Sequence, residues 1–450
     1  MFIPHTDAER EAMLASIGVK DIKDLFTDVP EKHRFPKLGL PKGITEMEAL
    51  AELREFSTAN ETAADLVSFL GAGAYQHYIP AAVDALINRG EFFSAYTPYQ
   101  PEISQGTLQA IFEFQTLIAN LTGMEVSNAS HYDGATAAAE AGLMAYHHFR
   151  GKRPKIIISS SVNPEYREVM CSYLCGYENM KLVSVGDKAD LKESPDQLSD
   201  RLDDQTALVM VQYPDFFGRI NDFHKLVRKS HEIGALIAFI VNPTALGILK
   251  TPGELGADIV VGEGQPLGIP LSFGGPYLGF LATKKDFVRK ISGRLVGETV
   301  DGEGRRGYVL TLTAREQHIR REKATSNICS NQGLMALAAT IYMSLLGKQG
   351  MQQVADLCYQ KAHYAAELIN RLPGFEVLTD KPFFHEFVVK CPVDVDHINQ
   401  HLLEDGFLGG LNLAKINPDL ANHMLVAVTE VISKEDIEAF AEALKEASHD

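Results

Sequence analysis

Between residues 155 and 261 the chain repeats one pattern, a short β-branched run followed by a longer segment. The runs are 155–158, 181–185, 207–212, 235–241 and 258–261, and most of the intervening segments carry apolar residues at helical spacing. Near-continuous apolar strands separated by helix-length connections pack as a mostly parallel sheet covered on both faces. The run 277–283 follows Gly274-Gly275-Pro276 with no room for a crossover helix, so it should enter the sheet antiparallel. With 123–128 contributing, the sheet has seven strands.

Around this centre the chain divides in three. Residues 1–60 read as a helical arm: Thr6 and Glu9 stand at capping-box spacing, Pro-rich connections run to about 44, and a helical pattern spans 46–68. Residues 61–310 form the large α/β domain, with a helix at 105–122 and an Ala-rich one at 137–149. Residues 311–450 form a smaller α+β domain: after a polar loop at 301–307 come helical patterns at 331–348 and 350–372. Short strands follow at 375–379, 386–391 and 424–429, with a helix near 394–405 between the last two and a final helix opened by the Ser433 to Asp436 capping box.

Bulk properties narrow the partners. A net charge of −17 repels phosphate backbones and anionic membranes, so nucleic acid is not expected. No apolar stretch reaches the ~18 residues of a membrane span, and the opening Met1 to Asp7 has neither signal-peptide nor transit-peptide layout. Five scattered cysteines without a CxxC pair suggest reduced thiols in a cytoplasm. Cys171 and Cys175, four apart in a predicted helix, are expected to be small buried side chains. His147-His148 and the Asp301 to Gly304 stretch have no metal-site spacing, and Gly71-Ala72-Gly73 lacks a surrounding βαβ unit. No metal is expected.

In open α/β sheets ligands lie beyond the carboxyl ends of the strands. Four segments qualify. Residues 128–136 lead into the Ala-rich helix, whose N-terminus could take an anion at Ser130, Gly134 and Thr136 or could be an ordinary capped start. Asn242 follows the run 235–241. Residues 260–270 follow the next run and hold Gln265. The fourth is the loop Phe92 to Glu102, where prolines stiffen a row of phenol and hydroxyl groups. Such a loop either packs on its own core or crosses into a neighbour's site, with Tyr96, Thr97, Tyr99 and Gln100 as the groups that would reach.

Over essentially its whole length the sequence resembles the glycine cleavage system P-protein family, in particular the N-terminal subunit of its two-chain form. The resemblance is carried by FIPHTDAEREAML (2–14), the long stretch 71–124, NASHYDGATAAAEA (128–141) and TAREQHIRREKATSNICSNQGLMAL (313–337). It implies a type I fold of pyridoxal-phosphate (PLP) enzymes and a complex that decarboxylates glycine and passes the aminomethyl group to the lipoyl arm of the H-protein. In the two-chain form the PLP lysine belongs to the second subunit, and two copies of each chain assemble.

Measured against the cofactor-bearing subunit, this chain has Gln265 in place of the Schiff-base lysine, Asn242 in place of the aspartate that keeps the pyridine nitrogen protonated, and Ser160 in place of a ring-stacking histidine. A carboxamide cannot form an imine with the cofactor, and an amide supplies no countercharge to a pyridinium. The expectation is a chain with no catalytic residue of its own and no covalent cofactor. Arg315, His318, Arg320, Arg321 and Lys323 read either as a salt-bridged structural loop or as a route for an acidic carrier. Two other readings stand beside this one: an independent PLP-dependent aminotransferase or decarboxylase with a misplaced lysine, and a purely scaffolding pseudoenzyme.

Overall fold

The computed structural model describes residues 5–448 except 64, 187–188, 325, 327, 329–330 and 379. The chain forms two compact units, one up to Glu61 and one from Thr62 onward.

In the first unit, helices Asp7–Ile17 and Glu46–Thr58 open on capping boxes. Thr6 Oγ1 accepts the Glu9 N–H while Glu9 Oε2 accepts the Thr6 N–H, and Thr45 and Glu48 repeat the exchange. Each box satisfies two N–H groups that a helix start otherwise leaves without partners. No residue of either helix is buried. The second helix stops at Thr58, short of the expected 68, because the Asn60 side chain donates to the Phe56 carbonyl and ends the run.

In the second unit, the seven-stranded sheet has the order Val126–Ser127, Gly279–Thr283, Ile259–Glu263, Leu236–Val241, Thr206–Tyr213, Lys155–Ile158, Lys181–Val183. The last five are mutually parallel, and Gly279–Thr283 is antiparallel to both its neighbours. Alternate residues of the central strands feed two cores. Ile157, Val209, Val211, Ile237, Phe239 and Val260 face the side covered by helices Gln105–Thr122 and Gly333–Ile369. Ile156, Leu208, Met210, Ala238, Ile259 and Val261 face the Gly134–His148 helix. Each such side chain contributes roughly 1.5–3 kcal/mol on burial, so the sheet is a rigid platform for whatever lies at its carboxyl edge.

Residues Glu376–Val377, Glu386–Lys390, His423–Ala427 and Leu411–Asn412 form a four-stranded antiparallel sheet. Helices Val395–Glu404 and Lys434–Ala447 share its core. Val67–Ser68 pairs in parallel with Phe407–Leu408, and Phe69 stacks on Phe440 with ring centroids 3.7 Å apart, so this early segment packs with the late one. The two helical patterns after residue 331 are two helices within Gly333–Ile369, meeting at a kink at Gly347, where φ is +58°, a conformation glycine reaches at no steric cost. The polar loop at 301–307 is the turn of a hairpin, Val296–Val300 with Arg306–Leu310, closed by Asp301 Oδ1 accepting the N–H groups of Glu303 and Arg305. Cys171 and Cys175 are exposed rather than buried, because Pro164–Leu174 turns that stripe away from the sheet. No helix among the described residues is long and apolar enough to cross a membrane.

Candidate functional site

The carboxyl edge of the parallel strands brings Ser160, Asn242, Glu263 and Gln265 to one end of the sheet, where Glu263 meets the start of the Gly134–His148 helix. Each expected residue is present, and each is turned into a hydrogen bond with the protein itself.

Ser160 is fully buried. Its N–H and its hydroxyl both donate to Glu193 Oε2, at 2.8 and 2.7 Å, and Ser159 bonds the other oxygen. Asn242 lies 2.9 Å from His385 Nε2 through its side-chain nitrogen, and its Oδ1 accepts the Thr244 N–H at 2.9 Å. Burial pushes the His385 imidazole down to about 3, so the ring is neutral and its Nε2 accepts the amide proton.

Gln265 is 1 % exposed. Its Oε1 accepts the Tyr75 N–H at 2.9 Å, and its Nε2 donates to the carbonyls of Tyr75 and Ile269, each at 2.8 Å. The side chain thus pairs with Tyr75 as a neighbouring strand would. The segment it holds, 71–78, is clamped along its length. Glu386 accepts from the Ala72 N–H and the Tyr75 hydroxyl, both at 2.7 Å, Thr429 donates to the Gln76 carbonyl, and Glu430 takes the Tyr78 N–H and His77. Gly71 is required here, since a Cβ would lie 2.4 Å from Glu386 Oε1. His77, Cys358 and Glu430 bring three metal-type ligand atoms within 4.8 Å, which the sequence did not foresee; hydrogen bonds from His77, Cys358 and Tyr78 already converge on the Glu430 carboxylate.

At the helix start, the three groups proposed as a residual anion site are already engaged. Ser130 Oγ accepts the Gln332 N–H, the Thr136 N–H donates to Asp133 Oδ1, and the Gly134 N–H donates to Glu263 Oε2 at 2.9 Å. Glu263 Oε1 accepts two further main-chain N–H groups, of Gln265 and Leu278, at 2.9 Å each. Burial pushes this carboxyl up to about 7. What remains open is a cavity of about 30 Å³ lined by Gly73, Tyr75, Asn163, Tyr166, Asn242 and Glu263 among others.

The aromatic loop is built differently. Thr97 is buried, Tyr96 is 80 % and Tyr99 47 % exposed, and Gln100 is exposed. The Tyr99 hydroxyl accepts from Arg294 Nη2 at 2.8 Å, and its ring meets His318 edge-on at 6.0 Å. Arg294 is buried in an ion pair with Glu316. The structure therefore joins the aromatic loop to the basic stretch through His318; Arg320, Arg321 and Lys323 are exposed, and the Arg315 side chain lies outside the described residues.

The profile of the family described as "Glycine cleavage system P-protein" matches residues 1–444. A probable glycine dehydrogenase (decarboxylating) subunit 1 from Thermomicrobium roseum is 54 % identical, with both chains covered in full. The chain belongs to the glycine cleavage system P-protein family. Among solved structures, a crystal structure of glycine decarboxylase (P-protein) of the glycine cleavage system in inhibitor-bound form superposes with a TM-score of 0.89 at 44 % identity, over 99 % of this chain and 100 % of that one. A glutamate decarboxylase of Lactobacillus brevis, at 17 % identity and TM-score 0.70 over 93 % of this chain and 96 % of that one, shows the shared fold.

The P-protein fold is that of PLP enzymes, yet the residues of this chain do not fit PLP. Gln265 offers no amine, Asn242 contacts a neutral imidazole instead of offering a carboxylate, the Ser160 hydroxyl is bonded back to Glu193, and the helix start holds Glu263. The cavity left is an order of magnitude below the ~300 Å³ at which small-molecule pockets begin. Sequence reading missed Glu263, Tyr75, Glu386 and Arg294. Only Glu263 carried a visible signal, a carboxylate ending the apolar strand Ile259–Glu263.

Proposed function

We propose that this chain is subunit 1 of a two-chain glycine dehydrogenase (decarboxylating), the member that carries no PLP. The complex decarboxylates glycine and transfers the aminomethyl group to the lipoyl group of the H-protein, in the cytoplasm, as a heterotetramer with two copies of each chain. The second subunit supplies PLP with its lysine and aspartate, and this chain is inactive alone. The observation that carries this reading is the pairing of a full-length 54 % identity to a named subunit 1 with a carboxamide, Gln265, at the position the resemblance assigns to the PLP lysine.

This chain's part in the complex is to bind, orient and exclude water. Tyr96, Tyr99 and Gln100 are the groups we assign to the partner's site, while Thr97, expected to reach with them, is buried in the loop. Arg294, fixed by Glu316, holds the Tyr99 hydroxyl from behind, so the ring and phenol can be presented without a large ordering cost. The test is exchange of the glycine carboxyl with bicarbonate in the presence of lipoylated H-protein, measured for this chain, for the second subunit and for the mixture. Exchange in the mixture alone is expected. Exchange by this chain alone, with PLP fixed to it by borohydride, would overturn the reading.

A further inference from the structure

We infer that this chain closes its own cofactor place from within, Glu263 acting as a built-in anion at the helix start and Gln265 as a strut locking Tyr75 over it. Replacing Gln265 with lysine therefore leaves the site shut, and an external anion enters only once the Glu263 carboxylate is removed. The inference rests on the reading above only in taking this pocket as the counterpart of a PLP site.

The Glu263 carboxylate collects main-chain N–H groups from three separate segments, at Gly134, Gln265 and Leu278. Converging main-chain donors at the first turn of a 15-residue helix are what an oxyanion such as phosphate requires, and here an internal one has them. The start is also sealed sterically: a Cβ at Gly134 would lie 2.1 Å from the Tyr166 hydroxyl and 2.8 Å from the Glu263 nitrogen. Asp133 adds a second negative charge at the same helix start, bonded to Thr136. Burial raises the Glu263 carboxyl to about 7 against the three main-chain N–H groups that lower it, so above that pH it fills the place as an anion.

At the other end, a lysine at 265 would lose the oxygen that accepts the Tyr75 N–H. Its ammonium, one bond beyond the place of the Gln265 Nε2, would find the carbonyls of Tyr75 and Ile269 as acceptors. Held there it stays protonated, and a protonated lysine is not a nucleophile.

The test uses the full chain as wild type, Glu263→Ala, Glu263→Gln and Gln265→Lys. Thermal midpoints are compared in inorganic phosphate and in chloride at equal ionic strength. Phosphate should raise the midpoint of Glu263→Ala by several degrees beyond any shift of the other three, since binding to the folded state alone stabilises it. Equal shifts in all four would overturn the inference. Should Glu263→Ala fold only with an anion present, its refolding yield against phosphate concentration makes the same comparison. In parallel each protein is incubated with PLP and reduced with borohydride. Stoichiometric pyridoxyl-lysine in Gln265→Lys, absent from wild type, would overturn the inference and leave the proposed function standing. Stoichiometric label in wild type would instead overturn the proposed function.

Discussion

The pocket at the sheet edge and the loop at 92–102 are both polar, and they spend their polar groups in opposite ways. In the pocket, Ser160, Gln265, Glu263 and Glu386 are buried and point at the chain's own main chain or side chains. In the loop, the buried groups Arg294 and Glu316 stand behind, Arg294 holding the Tyr99 hydroxyl, while Tyr96 is largely and Tyr99 half exposed. Inward pairing makes the first region structural; exposed rings supported from behind are the arrangement of a contact surface. The sharpest way to break this contrast is at the support. Arg294→Met strips the countercharge from the buried Glu316 and should cost about 3–5 kcal/mol of folding stability, read by urea unfolding. A loss under 1 kcal/mol would show that the loop is not held from behind.

The pocket's buried acids make its contribution to stability fall as pH rises. The Glu263 carboxyl stands at about 7 when folded and 4.5 in its ordinary state, so between those values the folded chain holds a proton that the unfolded chain has lost. Its contribution is most favourable below pH 4.5 and declines as pH rises through 7, by about 3 kcal/mol in all. Glu140 and Glu386 are raised to about 7 in the same way. Glu263→Gln should flatten the fall in stability between pH 4.5 and 7 by one group's share. An unchanged slope would mean that Glu263 is ionised across this range.

This contrast also explains what was legible in the sequence. The five parallel strands were readable because apolar runs such as Leu236–Val241 are local signals, and the short link to Gly279–Thr283 dictated its antiparallel entry. The hairpin Val296–Val300 with Arg306–Leu310 was hidden because its outer face is polar, and Val67–Ser68 because two residues carry no period. At the site, residue types located the missing groups, Gln265, Asn242 and Ser160, but not what fills their place. That depends on pairs distant in the chain, Glu263 with Gly134 and Gln265 with Tyr75, which no local pattern encodes.

A smaller effect separates a strut from a passive filler. Gln265→Leu keeps the volume near constant and leaves the buried Tyr75 N–H and C=O without the carboxamide, which should cost about 2 kcal/mol. If the leucine variant is as stable as wild type, water or relaxation replaces those bonds and Glu386, Thr429 and Glu430 suffice to hold the segment 71–78.

The loop carries the smallest expected change in folding and the one most tied to function. Tyr99→Phe removes the hydroxyl that Arg294 donates to while keeping the ring against His318, so the isolated chain should lose about 1 kcal/mol or less. If Tyr99 reaches the partner's site, turnover of the assembled complex should nevertheless fall, roughly tenfold for one well-placed hydrogen bond of ~1.4 kcal/mol. Thr97→Ala serves as the companion, because Thr97, midway along the loop, is buried and a loss there alone would indicate packing rather than contact. Turnover undiminished in both, with assembly intact by sedimentation, would place the loop with the pocket as a structural element. A fall in Tyr99→Phe at unchanged assembly and unchanged thermal midpoint would separate the two regions by function as well as by construction.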